Sequence, residues 1–425
     1  MWRRVLRLGF AGVWLYGLLE LGAFAALWSL DRTKPTHSSL LDRAEEVAQL
    51  EGSEQGAANT RDHIRHPYIA FAPKPARRRR ASQLLALSSD VLAQPDSPLY
   101  DEDALILGLS GGSVAAGVFN KGGRAFLKRL QSAPQLEGRK VHIFSFAVAG
   151  LKQPQQAVGL AYLMAAGVRF DAMVNLDGFN EIALTTDPGM QQGGYPAYPY
   201  QWASRMAMST GSRKLAGEMS YLEHARSESA AAYLSCPARW SWMRKLAWVM
   251  TDRRLHAQRE RTLAALRQKV AAEEEPMERF EMLGPSRPER SHQELQTELA
   301  AIWERGSRAL RDLCAGAGIP YVHALQPNQY DAAFVKPMGP EERKIALREG
   351  GLWARAARSG YPHLRKAAER LAADGIEVLD LKEIFADVEG IRLLDNCCHF
   401  NEAGNITIAE ALADALLAAG FPRQR

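Results

Sequence analysis

From Asp103 onward the apolar residues fall into short unbroken runs separated by longer stretches with helical spacing, the pattern of βαβ units and a parallel sheet. The runs predict strands at Ala104 to Leu109, Val141 to Val148, Met173 to Leu176, Tyr321 to Leu325 and Ile376 to Leu381. Helices are predicted from Ser113 toward Leu130, around Gln156 to Ala166 and from about Asn401. Between Ile182 and Ile319 the pattern turns mostly helical and charged, as in Arg259 to Glu273 and Gln293 to Leu313. That stretch, about 182–319, reads as an insertion serving as a cap over one edge of the sheet. The fold class is therefore α/β.

The N-terminus has a different pattern. Arg3, Arg4 and Arg7 precede an apolar stretch from Leu8 to Leu30. At about 1.5 Å per helical residue it is long enough for a hydrocarbon layer of roughly 30 Å. We expect residues 1–30 to form a transmembrane anchor, with the arginines inside and the remainder periplasmic or extracellular. Glu20 interrupts the segment, and Ala23-Phe24-Ala25 also fits a cleavage site for a signal peptide. Residues 31–102 read as a stalk that carries a basic run, Arg77 to Arg80, and an apolar patch, Pro67 to Phe71, suited to an edge strand. Residues 103–425 form the body.

Composition narrows the possibilities. A net charge of +5 on 425 residues is mild and gives no reason to expect a nucleic-acid partner. Cys236, Cys314, Cys397 and Cys398 have no CxxC spacing, so neither a zinc site nor a disulfide-built scaffold is expected. In an oxidising compartment, one of the adjacent pair has Cys236 or Cys314 as a candidate partner, and free buried thiols are the alternative. No cofactor is implied.

The candidate chemistry lies where strands end. The first three end in Ser110-Gly111-Gly112-Ser113, in Gly150 and in Asp177-Gly178-Phe179-Asn180. In open α/β sheets the ligand crevice lies outside the carboxyl ends of the strands, so Ser113, Gly150 and Asn180 are expected to converge. Asp395 and His399 precede the last helix and complete a nucleophile, a base and an orienting carboxylate.

These segments resemble the conserved blocks of the SGNH (GDSL-like) serine hydrolases. GGSVAAG at Gly111 to Gly117 is similar to the nucleophile block, with Gly112 where the commonest version has Asp. SFAVAGLKQPQQ is similar to the second block and places Gly150 on the oxyanion glycine. DGFNE resembles the GxN block, with Asn180 on the oxyanion asparagine, and DNCCHFNEAGN resembles the closing block, with His399 on the base. The likeness covers about 104–182 and 318–420. It implies a flavodoxin-like three-layer parallel sheet and an esterase or deacetylase acting on acylated small molecules or carbohydrates, with a surface or exported polysaccharide as one substrate class. An O-acyltransferase with the same triad and a silent polysaccharide-binding or assembly protein are the alternatives.

One spacing departs from the family. Its closing block reads DxxH, but the residue three before His399 is Asn396, and Asp395 lies one further back. Either residue is a candidate for orienting the base. Ser110, in Gly108-Leu109-Ser110-Gly111-Gly112, is a rival nucleophile because it satisfies GxSxG. Three further groups invite a role: the loop of Tyr195, Tyr198, Tyr200 and Trp202 as a sugar platform, Trp240, Trp242 and Trp248 with Arg244 and Lys245 as a membrane-interface patch, and Gln326 to Lys336 as crevice lining. Ordinary packing explains the two aromatic groups equally well.

Overall fold

A computed structural model describes residues 2–31, 35–41, 43–44, 47, 63–73, 83–87, 97–101, 103–186, 194–200, 202, 213–272, 280, 283–285, 288 and 290–422. The basic run and much of the predicted stalk lie outside this set. The chain divides into two compact units, Met1–Asn59 with Ser204–Arg279, and Thr60–Ala203 with Phe280–Arg425.

The first unit is helical, built on Trp2–Asp31, Arg213–Ser235 and Trp242–Ala272. Leu27, Leu40, Ala230, Tyr233, Trp248 and Val249 form its core. Glu20 accepts hydrogen bonds from the Ser241 hydroxyl and from the Trp242 N–H at 2.6 Å, which ties the middle of the N-terminal helix to its neighbour. Trp14, Leu15, Leu18, Leu19, Leu21 and Trp28 on the same helix are exposed. Among the described residues no helix is long and apolar enough to cross a membrane, so the expected transmembrane anchor is not found. The tryptophans divide: Trp248 belongs to the core, Trp242 packs against it partly buried, and Trp240 is exposed. Trp248 is buried and stacked on Tyr233, and the Lys245 ammonium donates to the Arg239 carbonyl beside the rings of Trp240 and Trp242.

The second unit carries a six-stranded sheet in the order β3-β5-β4-β6-β7-β8. Its strands are β3 (Leu84–Ala86), β4 (Ala104–Gly111), β5 (Lys140–Ser145), β6 (Ala172–Asp177), β7 (Tyr321–Leu325) and β8 (Glu377–Asp380), and every pairing is parallel. Strands β4 and β6 are buried along their whole length, and this is why they read as continuous apolar runs. Apart from β3, the order is that of a flavodoxin-like sheet. Crossovers of the usual right hand put the helix after β4 on one face and the helix after β5 on the other. The first helix is Ser113–Gly117, which continues through a π-helical turn into Gly123–Gln131 and packs with Glu402–Ala418. The opposite set is Gln155–Ala165, Phe179–Thr186, His292–Gly316 and Leu352–Ala373.

Three expectations change. Among the described residues the patch at Pro67 to Phe71 is no edge strand of the main sheet: β1 (His63–His66) and β2 (Ala70–Pro73) pair with each other. The edge next to β5 is taken by β3, from within the predicted stalk and too short for periodicity to reveal. The helix His292–Gly316, predicted as part of the insertion, buries Leu299, Trp303 and Leu310 in the core of the sheet unit.

Candidate functional site

Strand β4 delivers Ser113 to the start of its helix, at the carboxyl edge of the sheet. Gly111 makes the exit possible: its φ is +142°, and a Cβ there would lie 2.0 Å from the Leu176 carbonyl oxygen. The Ser113 hydroxyl lies 2.8 Å from His399 Nε2, and His399 Nδ1 lies 2.5 Å from Asp395 Oδ2. The three side chains form one continuous relay.

The unusual spacing before the histidine is resolved by a tight loop. Asp395 Oδ1 accepts the N–H groups of Cys397 at 2.9 Å, Cys398 at 3.1 Å and His399 at 3.2 Å. The backbone wraps around one carboxylate oxygen, and the other oxygen is left for the imidazole. Asp395, and not Asn396, is the residue that reaches it. The loop is closed by the Leu394 N–H on the His399 carbonyl at 2.9 Å and is followed by an N-cap, the Asn401 side chain accepting from Gly404 at 2.9 Å.

A second layer holds this loop by its carbonyls. Asn328 Nδ2 donates to the Cys397 carbonyl at 2.9 Å, and Gln329 Nε2 to that of Asp395 at 3.1 Å. Glu342 Oε1 accepts the N–H groups of Arg392 at 2.7 Å and Leu393 at 3.0 Å, and the Lys336 ammonium pairs with Glu342 Oε2 at 2.7 Å. The segment Gln326 to Lys336 is thus a clamp on the base loop. Glu342 carries no motif, and no sequence signal marks it.

Burial and neighbours set the electrostatics. Burial pulls the Asp395 carboxyl upward, but the bond to His399 and the surrounding N–H donors prevail and hold it below its ordinary value. For His399 burial alone favours the neutral ring; the Cys398 sulfur and the Asp395 carboxylate reverse this and raise its pKa well above the usual value. Such a base binds its proton firmly.

The oxyanion candidates converge as well. Asn180, buried, donates from Nδ2 to the Leu151 carbonyl at 2.9 Å, next to Gly150, and this leaves the second hydrogen of the same nitrogen. Gly150 has φ +77°, and a Cβ on it would meet Tyr200 at 3.0 Å. Gly112 is the meeting point: a Cβ there would lie 2.2 Å from Asn180 Nδ2 and 3.4 Å from the Leu151 carbonyl oxygen. A side chain at this position would have to displace the Asn180 amide. Glu181, next to Asn180, ties the loops together by accepting from Gln153 N at 2.9 Å and Gly178 N at 3.0 Å. Burial, with Asp177 nearby, pushes Glu181 up to about 8, and burial draws Lys152 down to about 8 against the pull of Glu181.

Ser110 is not placed for the same work. It is fully buried and its hydroxyl donates to Asn175 Oδ1. Asn175 leads to Asp177 at 2.7 Å, which also accepts from Trp303 Nε1 at 2.5 Å and meets His323 Nε2 at 2.7 Å. His323 Nδ1 in turn lies 2.5 Å from the Ser307 hydroxyl. A serine, a histidine and an aspartate are again in line, but sealed inside the unit, where they satisfy one another. The sequence reading missed this network; its one visible trace is a histidine in the apolar run of β7.

The aromatic loop is packing. Tyr200 is buried against Gly150, the Tyr198 hydroxyl donates to the Phe280 carbonyl at 3.0 Å, and Trp202 packs beside Phe71 and Leu151. All four cysteines are free, so no pairing with Cys236 or Cys314 is present. Among the described residues one cluster has donors for a metal, Cys397, Cys398 and His399, with atoms within 4.8 Å of one another. Both nitrogens of that histidine already face Ser113 and Asp395.

No protein-family model matches the chain, and no curated protein matches it. Among solved structures, the crystal structure of an acetyl xylan esterase is similar at a TM-score of 0.32 and 12% identity, covering 75% of this chain and 100% of that one.

Proposed function

We propose that the chain is a serine hydrolase of the SGNH type that cleaves ester-linked acyl groups, with Ser113 as nucleophile, His399 as base and Asp395 as its orienting carboxylate. The observation that supports it is the relay itself: Ser113 Oγ to His399 Nε2 at 2.8 Å, then His399 Nδ1 to Asp395 Oδ2 at 2.5 Å. A hydroxyl becomes a competent nucleophile when a hydrogen-bonded imidazole takes its proton, and the carboxylate selects the tautomer that leaves Nε2 free to do so.

In this reading Ser113 Oγ attacks the acyl carbon as its proton passes to His399 Nε2. The developing oxyanion is met by the N–H groups of Ser113 and Gly150 and by Asn180 Nδ2, at about 3 to 4 kcal/mol per donor where such groups have been removed elsewhere. His399 returns the proton to the departing alcohol, and water, activated by the same base, releases the acid. Acetylated carbohydrates are the first substrates to screen.

A fluorophosphonate probe tests the assignment on the full chain. The expected result is one adduct, on Ser113 by peptide mass spectrometry, lost in His399→Ala. An adduct on another serine, or none on folded protein, removes the proposal.

A further inference from the structure

The base loop carries two adjacent thiols that take no part in the proton transfer from Ser113, although the Cys398 sulfur lies against His399. Cys397 and Cys398 have their sulfur atoms 3.2 Å apart, in contact but not bonded. Cys397 is partly exposed, whereas Cys398 is buried and its thiol is drawn down to about 6: burial opposes this, and the Cys397 bond and His399 prevail. The N–H groups of these same two residues hold Asp395 Oδ1, at 2.9 and 3.1 Å. Whatever alters the peptide between the cysteines therefore acts on the carboxylate that orients His399.

We propose that Cys397 and Cys398 are a dithiol modification site which a low-molecular-weight disulfide converts to a ring between adjacent residues, switching off the Ser113 relay. The proposal rests on the reading of Ser113 and His399 given above.

The chemistry is thiol–disulfide exchange. Burial and the bond to Cys398 raise the Cys397 thiol well above its ordinary value, so Cys397 passes its proton to the Cys398 sulfur as it attacks one sulfur of RSSR, forming a mixed disulfide and expelling RS⁻. The Cys398 sulfur, in contact with that of Cys397, attacks it and expels the second RS⁻. The two cysteine protons end on the two released thiols, so one dithiol is oxidised and one disulfide reduced.

Closing the ring distorts the loop for a geometric reason. Adjacent Cα atoms are about 3.8 Å apart across a trans peptide, whereas disulfide-linked residues usually hold theirs about 4.4 to 6.8 Å apart. The sulfurs must also draw in to about 2.0 Å. The 397–398 peptide has to twist, and its N–H, the one that Cys398 donates to Asp395, turns off the carboxylate. A ring strained in this way is also readily reduced, so the change is reversible.

The test uses the full chain, treated with glutathione disulfide and then with dithiothreitol. Two readouts are followed: the mass of the peptide containing Cys397 and Cys398, and the rate of fluorophosphonate labelling of Ser113. The expected result is loss of two hydrogens from that peptide, at least a tenfold fall in labelling, and recovery of both on reduction. Cys397→Ser, which keeps the backbone N–H but cannot close the ring, labels at one rate, its own, with or without glutathione disulfide. A double Cys236→Ser, Cys314→Ala variant responds like wild type. The proposal is overturned by a mixed disulfide that never closes, by a ring that leaves labelling unchanged, or by a Cys397→Ser protein that still loses labelling. Failure of the reduced wild-type chain to label at all refutes the reading of Ser113 instead, and the peptide mass still reports whether the ring forms.

Discussion

Asp395→Asn isolates the orienting carboxylate with the least change in shape. In the wild type, Oδ1 accepts three backbone N–H groups and Oδ2 faces His399 Nδ1. An amide has one accepting oxygen and one donating nitrogen. Its oxygen must take the side with the three N–H donors, since an NH₂ there would face all of them, so its nitrogen is turned to His399 Nδ1. That nitrogen then has to accept, the ring proton moves to Nε2, and Nε2 points a hydrogen at Ser113 instead of a lone pair. The loop stays folded but the base is in the wrong tautomer. The equivalent change in a well-studied protease costs about 10⁴ in turnover, about 5 kcal/mol at 1.36 kcal/mol per tenfold. We expect a fall of about 10³ to 10⁴ in fluorophosphonate labelling or ester turnover. The unfolding midpoint should move little, because the three N–H groups keep an acceptor. Retention of a tenth or more of wild-type activity refutes the tautomer argument, and Asp395→Ala, which also removes the loop's acceptor, should lose stability as well as rate.

Other outcomes follow from the geometry and the electrostatics. Gly112→Ala places a Cβ 2.2 Å from Asn180 Nδ2, and displacing that donor should lower turnover by about 10² to 10³ with the thermal midpoint nearly unchanged; wild-type rates would show that Asn180 is not an oxyanion donor. Ser110→Ala should label at Ser113 at the wild-type rate and lose about 1 to 3 kcal/mol in denaturant unfolding, because Asn175 is left without its buried donor. Lys336→Ala leaves Glu342 buried without its cation and should cost about 3 to 5 kcal/mol in the same assay. His399, raised above its ordinary value of about 6.5, is a base only when neutral, so the acidic limb of the rate profile should lie above that value. Its effect on stability has the opposite sign: present in full below the ordinary value, and lost as pH rises through the raised one, which unfolding curves of wild type and His399→Ala compare directly.

How much was legible follows from local pattern. Strands β4 to β7 were readable because central parallel strands bury both faces and so appear as apolar runs, and β7 announced itself in Tyr321-Val322-His323-Ala324-Leu325 despite a polar residue; β8, a partly buried edge strand, showed only in the apolar residues among Ile376 to Leu381. Strand β3 was not, because three residues hold no period, and it is a strand only where β5 offers a free edge. The helix His292–Gly316 showed its amphipathic spacing and a capping box at Ser291 and Glu294, but not which sheet it would cover.

At the site, residue type and order in the sequence determined the candidates: Ser113, Gly150 and Asn180 each end a strand, and parallel strands bring such ends to one edge. Tertiary structure decided between alternatives that local chemistry left equal. Ser110 and Ser113 are three residues apart, yet one lies within buried β4 against Asn175 and the helix start turns the other to His399. Asp395 and Asn396 differ by one residue, and the wrap of three N–H groups around a single oxygen selects Asp395. Lys336, Glu342, Asn328 and Gln329 steady that wrap from far along the chain. Composition fixes which groups can hydrogen-bond; which of them meet depends on packing, and packing is settled by contacts between residues distant in sequence.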